Sequence, residues 1–132
     1  MRFLILTADY SPSNWSGIGV AVANQATAIA ALGYEVHVLS QRASLPYNFK
    51  DGVRFQCLNS PRFPLRPAYG DVIHLHSLSL AKLAIELSRR FSLPLLYTAH
   101  SLLQEELDPR QHATPWIRLQ LLVFSQADHI FF

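Results

Sequence analysis

Residues 18–39 read IGVAVANQATAIAALGYEVHVL and carry the clearest structural signal of the chain. Apolar side chains recur there at the spacing of one helix face, at Ile18, Val22, Ala26 and Ile29. This spacing predicts a helix over residues 18–32, which Gly33 ends because glycine readily adopts the left-handed conformation of a helix C-terminus. Residues 36–39 follow as a largely apolar run of strand length. A helix that leads directly into a buried strand indicates an α/β unit.

The same alternation extends in both directions from this unit. Further apolar runs of strand length occupy residues 3–6, 53–55, 72–75, 95–97 and 129–132, and helical patterns cover residues 80–91 and 116–124. Continuous apolar strands are buried on both faces, and no hairpin turn is expected between them. The predicted fold class is therefore α/β, a doubly wound, mainly parallel, Rossmann-like sheet of about six strands with helices on both faces. In such a sheet, ligands bind beyond the carboxyl ends of the strands.

The length and composition predict one domain over residues 1–132. Half of the 132 residues are hydrophobic and 15% are charged, which suits a single buried core. Residues 44–69 are less regular, hold four prolines and are interpreted as a surface excursion with one short strand near residues 53–58. We expect Ser79 to cap the helix that follows it.

Charge and cysteine content exclude several classes of protein. Eleven basic and nine acidic residues give a net charge of +2, with no like-charged block longer than Arg89-Arg90, so nucleic acid is not an expected partner. Cys57 is the one cysteine, which excludes an internal disulfide and a paired-cysteine zinc site. The opening apolar run is too short for a signal peptide. We expect a cytoplasmic protein whose membrane contact, where it has any, is peripheral and at the inner face.

The loop before the first helix is a candidate anion site. Gly17 and Gly19 allow close backbone approach, and free N–H groups at a helix N-terminus favour phosphate. A dinucleotide fingerprint is disfavoured, because its third glycine would fall at Val22 and the second strand ends in Ser40-Gln41 without an acid for the ribose. The alternative interpretation is a glycine loop that only starts a helix.

Three histidines lie in or just after predicted strands. His100 lies where a strand gives way to a loop, at the edge expected to bind ligands. Its imidazole could hydrogen-bond a sugar hydroxyl or a backbone carbonyl, and an imidazole titrates near neutral pH. His74 and His76 are two residues apart and so share one face of a strand. We interpret His74 as packed in the sheet and His76 as lining the cleft. These histidines could alternatively ligate a metal, but Ser77-Leu78-Ser79 follows directly without a carboxylate, so no metal is predicted.

Acidic residues follow His100 in the sequence. Glu105, Glu106 and Asp108 could bind the hydroxyl groups of a ligand, or they could form a solvated acidic turn. Glu105 is taken as the ligand-binding candidate.

Six segments, in order, resemble the N-terminal domain of glycosyltransferase family 4, the group 1 retaining glycosyltransferases with two Rossmann-like domains. They are residues 2–6 with 10–12, 16–19, 31–39, 71–77, 97–100 and 127–130. The resemblance implies an acceptor-side domain that faces a C-terminal domain holding a nucleotide sugar, and transfer with retention of configuration. No counterpart of the family's paired-glutamate motif lies in residues 1–132, so we expect the donor-binding domain to be absent and the chain to be inactive alone.

The resemblance also implies roles for individual residues. His100 is expected at the reacting sugar as the catalytic residue, and Gly17 and Gly19 near the donor phosphate. Ser16 stands where the family usually has the first glycine of a pair. Together with His76 and Glu105, these residues form the predicted set for donor phosphate and acceptor. The expected partners are a nucleotide sugar as co-substrate, a sugar, lipid or other acceptor, and the donor-binding domain in cis or in trans, with no cofactor.

Two other classes of function remain open at this point. One is a non-catalytic Rossmann-like interaction or regulatory module, and one subunit of a split glycosyltransferase lies between that and a complete enzyme. The other is a metal-dependent hydrolase built on His74, His76 and His100.

Overall fold

A computed structural model describes residues 1–9, 17–42, 47–57, 70–100 and 114–132. Strands and helices alternate along these residues, except that four strands follow one another in the described part of residues 35–75. The strands are β1 (Arg2–Asp9), β2 (Glu35–Arg42), β3 (Tyr47–Lys50), β4 (Val53–Cys57), β5 (Val72–Leu75), β6 (Leu95–Thr98) and β7 (His129–Phe131), and the helices are α1 (Gly17–Ala31), α2 (Ala81–Phe91) and α3 (Thr114–Gln126). A short 3-10 turn over Leu78–Leu80 precedes α2. None of the helices in these ranges is long and apolar enough to span a bilayer.

The strands form one sheet in the order β3-β4-β2-β1-β5-β6-β7. Every neighbouring pair is parallel except β3 and β4. The chain winds outward from β1 through β2 to β4, then returns to the other side of β1 and continues outward from β5. The predicted doubly wound, mainly parallel α/β fold is confirmed, and its topological switch point lies between β1 and β5.

One strand pair departs from the sequence-based prediction. The expectation that no hairpin separates the strands is wrong for residues 47–57, where β3 runs antiparallel to β4. Asp51 and Gly52 connect them, with φ angles of 54° and 78°. Two successive positive φ angles are typical of a type I′ turn, whose right-handed twist matches that of the strands it joins. The Asp-Gly pair was the available sequence signal, and β3 adds a seventh strand at the edge of the sheet.

The sequence-based prediction is right for one helix terminus and wrong for another. Gly33 has a φ of 95° directly beyond α1, which confirms it as the predicted stop. The predicted Ser79 cap of α2 is wrong, because Leu80 occupies the N-cap position and makes no side-chain cap hydrogen bond. The Ser79 hydroxyl instead donates to Oε1 of Gln41 at 2.6 Å, which links the end of β2 to the 3-10 turn.

The sheet separates two apolar cores. On one face α1 packs over β1, β2 and β4, and the buried side chains include Ile5, Val22, Ala26, Val38 and Phe55. On the other face α2 and α3 cover β5 and β6, and the buried side chains include Leu6, Ile73, Leu75, Leu95 and Val123. Ile5 and Leu6 are neighbours on the central strand and are both 0% exposed. Burial of successive residues on opposite faces explains why the strands read as unbroken apolar runs.

Two aspartates hold strand starts to their neighbours. The Asp71 carboxylate accepts the Arg2 backbone N–H at 2.9 Å, and the Asp71 N–H donates to the Arg2 carbonyl at 2.7 Å. Asp128 repeats the arrangement with Leu95, at 2.8 Å and 2.7 Å. Each aspartate thus fixes the register of the parallel strand that follows it. The aspartates in segments 71–77 and 127–130 therefore have a structural role.

Candidate functional site

The switch point joins the carboxyl ends of β1 and β5. The backbone N–H of His76 donates to the Leu6 carbonyl at 2.9 Å. One residue further on, the Ser77 hydroxyl accepts the Ala8 backbone N–H at 2.8 Å. These bonds continue the strand pairing past the end of β5, so the backbone that carries His76 is fixed at the edge of the sheet where ligands of doubly wound folds bind.

His74 and His76 project from the same face, as their spacing predicts. Their ring centroids are 4.3 Å apart and the rings are stacked with an interplanar angle of 29°. Both side chains are buried, His74 at 3% and His76 at 5% exposure. The interpretation that His74 is packed in the sheet is therefore confirmed, and His76 lies one alternation nearer the carboxyl edge.

Each of these histidines reaches diagonally to the neighbouring strand. Nε2 of His74 lies 2.7 Å from Oγ1 of Thr98, and Nδ1 of His76 lies 3.0 Å from Nε2 of His100. His100 follows the end of β6, and its side chain is exposed. The ring centroids of His76 and His100 are 5.3 Å apart. His74, His76 and His100 thus form a histidine column with a buried end on Thr98 and an exposed end at the carboxyl edge.

The histidine column is held in the neutral state. Burial lowers the pKa of His76 to about 2, with further contributions from His74 and His100. Burial and then the neighbouring His100 lower the pKa of His74 to about 4. Burial also lowers the pKa of His100. All three rings therefore act at neutral pH as hydrogen-bonding groups with one N–H donor and one acceptor nitrogen each.

The geometry of the column does not favour a metal centre. Among the described residues, no group of three or more histidine, cysteine or acidic side chains is arranged to hold an ion. Nδ1 of His76 and Nε2 of His100 are directed at each other. The hydrolase built on these histidines therefore has no supporting ligand geometry in this part of the chain.

The other predicted site residues are placed only in part. Gly17 begins α1 and Gly19 is buried within its first turn. Because α1 connects the carboxyl end of β1 to the amino end of β2, its N-terminus lies at the same sheet edge as His76 and His100. Ser16 and Glu105 lie outside the described residues, as do Glu106 and Asp108.

Comparison with known protein families identifies the family of this chain. Residues 16–132 match the family model described as "Glycosyl transferase 4-like domain". The chain belongs to this family. No curated protein matches it in sequence.

Solved structures similar to this glycosyl transferase 4-like domain share its fold. Sucrose-phosphate synthase from Thermosynechococcus elongatus superposes with a TM-score of 0.75 at 15% identity, over 98% of this chain and 42% of that one. HepE from Anabaena, solved with UDP and glucose, gives 0.67 at 16% identity, over 98% of this chain and 37% of that one. The catalytic domain of starch synthase IV from Arabidopsis thaliana, bound to ADP and acarbose, gives 0.58 at 13% identity, over 77% and 34%. The glycosyl transferase 4-like domain spans less than half the length of each.

The sequence pattern did not predict the roles of two hydroxyl residues at this site. Thr98 contacts His74, and Ser77 joins the ends of β1 and β5. A signal for Thr98 was present, because it precedes His100 by two residues, the spacing at which side chains of an extended chain lie on the same face. The role of Ser77 depends on β5 lying beside β1, which the order of elements along the chain does not specify.

The histidine column predicts that the domain loses stability in mild acid. The pKa of His76 and that of His74 are lower in the folded chain than the ordinary value of 6.5, so the unfolded state takes up protons first as the pH falls. The free energy of unfolding should begin to fall below about pH 6.5, with a slope of up to about 1.4 kcal/mol per pH unit for each histidine. The loss from His74 should end near pH 4 and that from His76 near pH 2. Chemical denaturation at a series of pH values measures this slope.

A matched pair of variants tests whether the histidine column causes the decrease in the free energy of unfolding at low pH. His76→Phe keeps a buried ring and removes one titrating group, so it should reduce the slope by the contribution of one histidine and leave the contributions of His74 and His37, whose pKa values burial also lowers. His129→Phe replaces an exposed histidine of β7 and should leave the slope unchanged. Equal slopes in both variants would mean that the histidine column does not cause the acid sensitivity.

Proposed function

We propose that this chain is the acceptor-side half of a retaining glycosyltransferase that transfers a sugar from a nucleotide-sugar donor. The observation that carries the proposal is the contact between His76 and His100 at the carboxyl edge of a glycosyl transferase 4-like domain. This edge is where doubly wound folds bind their ligands.

The chemistry of the pair suits a sugar. A carbohydrate hydroxyl both donates and accepts hydrogen bonds, and a neutral imidazole offers one group of each kind. His100 is exposed while His76 is buried behind it, so His100 is the side chain that contacts the reacting sugar. We assign Gly17 and Gly19 to the donor phosphate because they lie in the first turn of α1 at the same edge. Ser16, which precedes Gly17 in the sequence, is assigned with them. Glu105 is assigned to an acceptor hydroxyl.

A second, donor-binding domain completes the proposed site, on the same polypeptide or on another. The similarity to sucrose-phosphate synthase covers 98% of this chain but 42% of that enzyme, which leaves room for a further domain. HepE was solved with UDP and glucose, and starch synthase IV with ADP and acarbose. These nucleotides and sugars suggest UDP-glucose and ADP-glucose as first donors to test.

The chain alone is expected to bind donors weakly and to transfer no sugar. Transfer requires the reactive carbon of the donor to be held against the acceptor, and such positioning can supply roughly 7–11 kcal/mol of the barrier reduction. A domain that forms only one side of the active site provides little of this barrier reduction. We expect a dissociation constant of about 1 mM or weaker for UDP-glucose and ADP-glucose by calorimetry, where about 1 mM corresponds to roughly −4 kcal/mol. No nucleotide should be released.

Two controls sharpen this experiment. Inorganic phosphate tests whether weak binding comes from the start of α1 alone, since a helix N-terminus binds anions without a sugar. A donor dissociation constant of about 1 µM together with steady nucleotide release would contradict the half-site proposal.

A further inference from the structure

The tautomer of His76 follows from which of its nitrogens has a partner. Nδ1 lies 3.0 Å from Nε2 of His100. Nε2 of His76 is buried and has no hydrogen-bond partner in the part of the chain that the structure describes. A neutral imidazole carries its single proton on one of these two nitrogens, so the choice decides which group is left unpaired.

The two tautomers leave different groups unpaired in the interior. With the proton on Nε2, a buried N–H donor would lack an acceptor. With the proton on Nδ1, the N–H donates to His100 and only a lone pair of Nε2 is unpaired. A donor left without an acceptor is rarer in protein interiors than an under-used acceptor, because the lost hydrogen bond to water is not replaced. The Nδ1–H form of His76 is therefore favoured.

We propose that His76 is a positioning residue whose Nδ1–H donates to Nε2 of His100, so that His100 presents its own Nδ1–H as a fixed donor to an oxygen of the bound sugar. The inference rests on the proposed function for the identity of that ligand. The tautomer of His100 follows from the contact alone, since a neutral ring that accepts at Nε2 must carry its proton on Nδ1.

The rest of the column keeps this arrangement in place. The His76 ring lies between His74 and His100, with centroid distances of 4.3 Å and 5.3 Å and interplanar angles of 29° and 33°. His74 is itself held by Thr98 at 2.7 Å and is 3% exposed. Because the His74 ring is fixed by this contact, stacking against it restricts rotation of the His76 ring and keeps Nδ1 of His76 directed at His100.

The chemical consequence concerns the role of His100. A proton can enter Nε2 of His100 only if the bond from His76 is broken, so this nitrogen is a poor general base. His100 then acts through a directed hydrogen bond that stabilises charge or orients a hydroxyl, as preorganised donors do in other active sites.

Long-range ¹H–¹⁵N correlation spectra of the labelled chain at about pH 7.5 test the proposal without any sugar donor. They identify which ring nitrogen carries the proton. In the wild-type chain we expect the Nδ1–H form for both His76 and His100. An Nε2–H form of His100 in the wild-type chain would overturn the proposal, whatever any variant does.

Three variants separate positioning from packing. His76→Asn keeps an N–H donor near the position of Nδ1 and should keep His100 in its wild-type tautomer. His76→Phe keeps the ring but removes the donor, so the Nδ1–H to Nε2–H ratio of His100 should fall roughly 2- to 10-fold, the net worth of one hydrogen bond. His129→Phe is the matched control and should leave this ratio unchanged.

The outcomes distinguish this inference from the proposed function. An unchanged His100 tautomer in His76→Phe would overturn the positioning role, even in a chain that supports sugar transfer. The expected tautomers in a protein that never transfers sugar would leave the positioning role intact and count against the proposed function.

Discussion

Replacing His100 with alanine in the complete enzyme is expected to lower turnover roughly 10²- to 10⁴-fold, the range found for a positioned acid, base or preorganised donor. The complete enzyme here means this chain together with the proposed donor-binding domain. His100 is exposed at the carboxyl edge and is hydrogen-bonded to the buried His76. This bond orients the His100 ring before a ligand binds. Initial rates of nucleotide release from UDP-glucose and ADP-glucose measure the effect.

Two further variants show whether the loss comes from the hydrogen bond. His100→Asn retains an N–H donor near Nδ1 and should recover part of the lost turnover. His129→Ala removes an exposed histidine from β7 and should keep wild-type rates. Thermal melting should show that all three variants remain folded, with His100→Ala destabilised by no more than about 1–3 kcal/mol because the buried His76 N–H loses its acceptor. A rate for His100→Ala within about threefold of wild type would remove the residue from the site, since a transition-state contact is worth far more.

Replacing Phe55 with alanine is expected to destabilise the domain by about 3–5 kcal/mol, a large part of the roughly 5–15 kcal/mol that holds a typical domain folded. Phe55 is 1% exposed, pairs with Val38 across β4 and β2, and belongs to the core beneath α1. Its removal costs the transfer free energy of a large ring and leaves a cavity that a sheet fixed on both sides closes poorly. Urea denaturation midpoints, with an unchanged slope, report the difference.

The control for this variant is another phenylalanine. Phe132 is 82% exposed, so Phe132→Ala should change the free energy of unfolding by no more than about 0.5 kcal/mol. A destabilisation below about 1 kcal/mol for Phe55→Ala would mean that the core beneath α1 is not packed as described.

The fold was predictable from sequence because both faces of the central strands are buried. Ile5 and Leu6 have to be apolar together, and a helix ending at Gly33 leads directly into the next such strand. The hairpin of β3 and β4 was missed because prolines around it suggested irregular chain, although Asp51-Gly52 was a strong turn signal.

The candidate site was predictable in composition and only partly in geometry. Strand spacing places His74 and His76 on one face, and the position of His100 after a strand places it at the same edge. The diagonal contact between His76 and His100 depends on the register of β5 against β6, which no local pattern encodes. The hydrogen bond from the Ala8 N–H to the Ser77 hydroxyl depends on β5 lying beside β1, and this order of strands is likewise a long-range property.

A reconstitution assay tests the acceptor-side assignment most directly. Nucleotide release from UDP-glucose and ADP-glucose would be compared for this chain alone, for the donor-binding domain alone and for the two together. We predict turnover only in the combination, and its loss by roughly 10²- to 10⁴-fold when the chain carries His100→Ala. Equal turnover by the chain alone, or no turnover by a combination that binds the donor, would contradict the assignment.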